Sequence, residues 1–109
     1  MKAKAIILLL GCYSITALAI PVKSVDHALL MVQASVRKHN LTSLSDNCLL
    51  FDYREDKQNY VIDVREKHDK YCGSDPNVSP RLFTYIVDKQ TGKMKTDDPV
   101  WTGEFREID

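Results

Sequence analysis

Cys48-Leu49-Leu50-Phe51-Asp52-Tyr53 and, after a charged interval, Tyr60-Val61-Ile62-Asp63-Val64 decide how this chain folds. Leu49, Phe51 and Tyr53 recur at every second position, as do Tyr60, Ile62 and Val64. A period of two places each trio on one side of a β-strand. The interval Arg54-Glu55-Asp56-Lys57-Gln58-Asn59 is wholly polar, as a hairpin connection is. Taken as the loop, it sets Tyr53 opposite Tyr60, Phe51 opposite Ile62 and Leu49 opposite Val64, so that all six side chains share one face.

Downstream, a third β-prone run from Leu82 to Val87 leads into Asp88-Lys89-Gln90-Thr91-Gly92, followed by a short fourth run from Lys93 to Thr96. Gly92 suits the positive-φ position that such a turn requires. Upstream, Ser24 is a helix N-cap, and Val25, Leu29, Val32 and Val36 follow at spacings of four, three and four. Asp26 falls in the first turn, and Arg37, Lys38 and His39 in the last, each complementing the helix dipole. Asn40 is the stop. The expectation is an α+β domain: one amphipathic helix over residues 25–39, ~22 Å long, packed on a three- to four-stranded antiparallel sheet. In the acidic tail from Asp97, Trp101 and Phe105 are candidates to cover a sheet edge or contact a partner, against the frayed terminus expected by default.

The chain has 109 residues, 15 Lys+Arg against 15 Asp+Glu, 44% hydrophobic and 28% charged residues. This is the composition of one globular domain. A zero formal charge lacks the basic field that drives binding to phosphate backbones, so nucleic acid is not an expected partner. The first 19 residues read as a signal peptide: basic Lys2 and Lys4, an apolar run from Ala5 toward Ala19, and the small-residue site Ala17-Leu18-Ala19. Cleavage after Ala19 leaves 13 basic against 15 acidic residues, a formal charge of −2 (15 − 2 = 13). The mature domain, 20–109, is then periplasmic or secreted. A lipoprotein anchored through Cys12 in Leu9-Leu10-Gly11-Cys12 is the alternative. No later apolar run approaches the ~18–20 residues of a membrane-spanning helix. In a eukaryotic host Asn40-Leu41-Thr42 would be a glycosylation sequon, but the short basic signal favours a bacterial origin.

Signal cleavage removes Cys12 and leaves Cys48 and Cys72, for which an oxidising compartment implies a disulfide. The rival is a zinc site drawing on His68, Asp69, Cys72 and Cys48, but paired CxxC or HxxxH spacings are missing. Asp75 and Asn77 lack the alternating oxygen ligands of a calcium loop. No metal or other cofactor is therefore expected. The histidines fall in the first helical turn (His27), in the last (His39) and in a charged loop (His68), the last read as a solvent-facing turn residue. Asp52, Asp63, Glu66 and Asp69 interleave with Arg65, Lys67 and Lys70 as a solvated strand face does. No nucleophile elbow, P-loop or dinucleotide motif occurs, and the reading is of a protein that is not an enzyme.

The segment Cys72-Gly73-Ser74-Asp75-Pro76-Asn77-Val78-Ser79-Pro80-Arg81 is long for a connection, and Pro76 and Pro80 restrict it. Such preorganisation lowers the entropy lost on binding, which makes it a candidate contact surface; a plain structural connection is the competing reading. The candidate partner-binding residues are Tyr71, Asp75, Asn77, Arg81 and Trp101, types that include the Tyr, Trp and Arg enriched at interface hot spots. Asp97-Asp98 is a second candidate wedge. A small-ligand role faces the difficulty that a one-helix sheet leaves little room for a cavity of ~300 Å³.

The strand Tyr60-Val61-Ile62-Asp63-Val64 and the turn Val87-Asp88-Lys89-Gln90-Thr91-Gly92-Lys93, preceded by a helix, resemble the PepSY-like domains of exported bacterial proteins over residues 24–96. The Cys48/Cys72 pair and its loop depart from that pattern. The resemblance implies a protein partner, namely binding or inhibition of a periplasmic peptidase or hydrolase, and supplies no catalytic residue. An immunity protein against a wall-targeting toxin or lysozyme-like enzyme fits the same features, as does a purely structural envelope protein.

Overall fold

The computed structural model describes residues 19–109. The signal-peptide and Cys12 readings fall outside the described residues, save for Ala19.

Helix α1 spans Val25–Lys38, one residue shorter than expected. Ser24 is extended (φ −145°), and its hydroxyl accepts the His27 N–H at 3.1 Å, satisfying one of the donors that a helix start leaves unpaired. At the other end Asn40 turns left-handed (φ 51°). The Asn40 and Leu41 amides then donate back to the carbonyls of Arg37 (3.2 Å) and Val36 (3.1 Å), the paired bonds of a Schellman stop.

Among the described residues the sheet has five strands, β1 Leu49–Glu55, β2 Asn59–Glu66, β3 Arg81–Asp88, β4 Met94–Thr96 and β5 Arg106–Ile108, arranged antiparallel in chain order. This corrects the expected three or four. The tail does not fray: it returns so that Ile108 lies opposite Met94 and Arg106 opposite Thr96.

The β1–β2 register is also corrected. Tyr53 lies opposite Ile62, Phe51 opposite Val64 and Leu49 opposite Glu66, two residues away from the expected pairing. The Asp56 carboxylate is the cause: it accepts the Gln58 and Asn59 amides at 2.8 Å each and shortens the connection to 56–58. Because the slip is even, every side chain keeps its face. The second hairpin repeats the device, with Asp88 Oδ1 accepting from Gln90 (2.8 Å) and Thr91 (3.0 Å), and Gly92 at φ 76°. Along that turn runs the chain's entry segment, the Ile20 and Val22 amides donating to Thr91 and Lys89.

One sheet face and α1 enclose the core: Ala28, Val32 and Val36 from the helix against Tyr60, Ile62, Val64, Phe83, Tyr85, Val87, Met94 and Ile108. The Tyr85 hydroxyl meets Ser35 Oγ at 2.7 Å inside it. Among the described residues no helix covers the opposite face, yet it is not the solvated face read from the sequence. Asp63 is only 7% exposed, because Thr84 Oγ1 donates to it at 2.6 Å and Arg54 at 3.1 Å while Arg65 stands at 3.9 Å. Burial opposes its ionisation, but the Thr84 and Arg54 hydrogen bonds outweigh that and hold the carboxyl below the usual range.

Candidate functional site

The antiparallel order sorts the connections by end. Turns 56–58 and 89–93 share one end of the sheet, whereas the β2–β3 connection (67–80) and the β4–β5 connection (97–105) share the other.

The 67–80 connection is stitched along its length. Cys48 and Cys72 form the expected disulfide, with Cα atoms 5.6 Å apart, tying the connection to the start of β1. Asp69 accepts the Cys72 (2.7 Å) and Tyr71 (2.9 Å) amides, and these bonds, Cys72's foremost, lower its pKa despite opposing desolvation. Asp75 Oδ1 accepts from the Asn77 amide at 2.9 Å. Ser79 Oγ donates to the Glu66 carbonyl (2.7 Å), and Arg65 donates to the Ser79 carbonyl (2.9 Å). The His68 side chain is only 9% exposed, which corrects its reading as a solvent-facing residue: Nε2 lies 2.6 Å from Glu66 Oε1 and Nδ1 2.9 Å from the Asp75 carbonyl.

Within this frame the sequence-selected residues separate. Tyr71 is 83% exposed at the crest of the connection. Asp75 and Asn77 belong to one turn, and the carboxylate of Asp75 is engaged in forming it. Arg81 opens β3 at the base, donating from Nη1 to Thr84 Oγ1 (2.9 Å) and Asp97 Oδ2 (2.8 Å). It therefore ties the roots of the two connections together. Trp101 is 85% exposed on a short 3-10 turn, Val100–Thr102, with Val100 and Phe105 also exposed. At the Asp97-Asp98 candidate wedge both acids have partners within the chain: Asp97 is held by Arg81 and by the Thr84 amide (2.7 Å), and Asp98 lies 3.7 Å from Arg106.

Sequence reasoning missed His68, Glu66 and the Arg81–Asp97 tie. The signal for the tie was an acid directly after the fourth run, facing an arginine directly before the third. At the turn end, the helix-free face carries an open groove of about 460 Å³ lined by Asn59, Ile86, Asp88, Lys93, Lys95 and Glu107, among others. It is larger than a one-helix sheet was expected to allow, but its wall mixes charges of both signs. Among the described residues no three His, Cys, Asp or Glu side chains are grouped as metal ligands, and no helix is long and apolar enough to cross a membrane. No protein-family model, curated protein or solved structure matches this chain.

Proposed function

We propose that the protein is an exported, non-enzymatic binding domain of the inhibitor type, which engages a periplasmic peptidase or hydrolase through the loop-bearing end of its sheet. One observation carries this reading: Tyr71 and Trp101 stand 83% and 85% exposed on two connections, the first fastened beside Tyr71 by the Cys48–Cys72 bond and both tied at their roots by the Arg81–Asp97 pair. Large exposed aromatics cost solvation without stabilising the fold, whereas on stiff supports they lose little entropy when a partner covers them. The turn-end groove is less suited to a small ligand, since Asp88, Lys93, Lys95 and Glu107 set charges of both signs around Ile86 and Met94 in a wall open to solvent.

The test is to mix the purified protein with a panel of periplasmic peptidases and cell-wall hydrolases and to measure binding and residual activity. Inhibition of a peptidase supports the reading. Inhibition of a wall hydrolase alone makes the protein an immunity factor using the same end. Failure to bind or inhibit any of them removes both.

A further inference from the structure

β1 is a sheet edge whose seven residues, Leu49–Glu55, pair on one side only among the described residues. Which backbone groups point outward follows from the bonds at its two ends. The Cys48 carbonyl accepts from Lys67, and the Asp56 amide donates to Asn59. Bonds to β2 therefore fall on the even-numbered residues, because in an antiparallel ladder they alternate. The amides and carbonyls of Phe51, Tyr53 and Glu55 then face away from the sheet. Protected edges carry prolines, bulges or charges, lysine above all; β1 has no proline or lysine, its register with β2 runs unbroken from Leu49↔Glu66 to Glu55↔Tyr60, and its charges, Asp52, Arg54 and Glu55, are of both signs, so a second copy can pair with them.

We propose that this edge pairs with the same edge of a second copy of the chain, antiparallel about a twofold axis at Tyr53. Three features select that occupant and that axis. First, Tyr53 is one of the outward-bonding residues, so the two copies exchange both hydrogen bonds of a narrow pair at the axis itself. Second, the axis sets Asp52 opposite Arg54 of the other copy at the flanking wide pairs, where side chains approach most closely; within one chain Asp52 already meets Arg65 (2.9 Å) and Arg54 meets Asp63 (3.1 Å), but the two side chains remain 64% and 65% exposed, so the pair across the axis extends that row of alternating charge. Third, the Tyr53 rings, half-exposed in the single chain, meet each other on the helix side as a cross-strand aromatic pair. A twofold at Glu55 opposes like charges. One at Phe51 sets Asp52 against Leu50 and leaves Arg54 opposite Cys48. The surface uses neither Tyr71 nor Trp101 and stands independently of the proposed function.

Sedimentation equilibrium of the purified protein from micromolar to millimolar concentration is expected to show a reversible monomer–dimer equilibrium that weakens with added salt. Tyr53→Pro deletes an outward amide and spares the β1–β2 bonds, so it should weaken the dimer roughly tenfold or more, two equivalent bonds being lost at once. Amide exchange in the unaltered protein gives a readout that does not depend on the variant folding: Phe51, Tyr53 and Glu55 should gain protection as concentration rises. A monomeric mass at every concentration overturns the proposal. So does a dimer in which those three amides gain no protection.

Discussion

His68 Nε2 lies 2.6 Å from Glu66 Oε1, and the other ring nitrogen faces the Asp75 carbonyl at 2.9 Å. A carbonyl and a carboxylate only accept, so both ring nitrogens are called on to donate and the imidazolium is the form that satisfies both. Glu66, then the Asp75 carbonyl, raise the His68 pKa above its usual 6.5, against a smaller opposing effect of desolvation. Because the folded value is the raised one, the clamp is complete below pH 6.5 and is lost as pH climbs through the raised value. In an NMR titration the His68 ring should titrate above 6.5, with the amides of residues 75–79 moving in step. A midpoint at or below 6.5 contradicts this account.

Ser35 and Tyr85 form the hydroxyl pair in the core, 2.7 Å apart, both buried. Ser35→Ala strands the buried Tyr85 hydroxyl and should cost about 1–3 kcal/mol, whereas Tyr85→Phe leaves Ser35 the Asp109 carboxylate as a partner and should cost less. The double variant should cost less than the sum of the two, because no hydroxyl is then left unpaired. Urea denaturation of all four proteins measures the coupling, and strict additivity would show that the pair is not a unit.

The disulfide closes a separation of 24 residues. Replacing Cys48 and Cys72 with serine should lower stability by ~3.5 kcal/mol on the chain-entropy model. The loss should appear as an earlier urea midpoint and as faster proteolysis in 67–80 than in β2 or β3.

Gly92 has φ 76°, and a Cβ there would stand 2.8 Å from the Ile20 carbonyl oxygen. Gly92→Ala therefore combines an unfavourable backbone with a clash against main chain. The expected loss exceeds the ~1 kcal/mol of a strained alanine alone. Chemical shifts should change at Ile20 and Val22, and a variant as stable as the parent would mean that the entry segment does not lie along this turn.

Tyr71→Ala and Trp101→Ala remove side chains that the fold scarcely covers. Each should change stability by no more than about 0.5 kcal/mol, while weakening binding to the peptidase or hydrolase of the proposed function by about 2 kcal/mol or more. A large stability loss with unchanged binding would reverse the roles assigned to them.

What could be read in advance follows from how local each cause is. Ser24 and the four-three-four spacing act within one helix, and both its boundaries were legible to within a residue. The face of every β1 and β2 side chain was legible too, since alternation survives an even slip, whereas the register waited on the two amides captured by Asp56. β5 has one apolar residue, Ile108, and acquires its identity only from Met94 and Thr96 beside it. Asp63 is buried because Arg54, Arg65 and Thr84 converge on it from three strands, and no window of sequence contains that meeting. At the loop end, the cysteine pair was legible by elimination. Arg81 was chosen as a contact residue, yet its guanidinium serves as a brace, which only the position of Asp97 reveals.

The sheet order β1-β2-β3-β4-β5 has a consequence for assembly of the chain. Every strand after the first is laid beside the one that immediately precedes it, so a polypeptide emerging N-terminus first always finds the neighbour of its newest strand already delivered. Cys72 likewise emerges after β1 and β2, and the covalent link can close before any of β3 appears. Only the entry segment must wait: the Ile20 and Val22 amides find their acceptors on Thr91 and Lys89, near the other end of the chain. Its docking is therefore a late event that reports the arrival of the second hairpin.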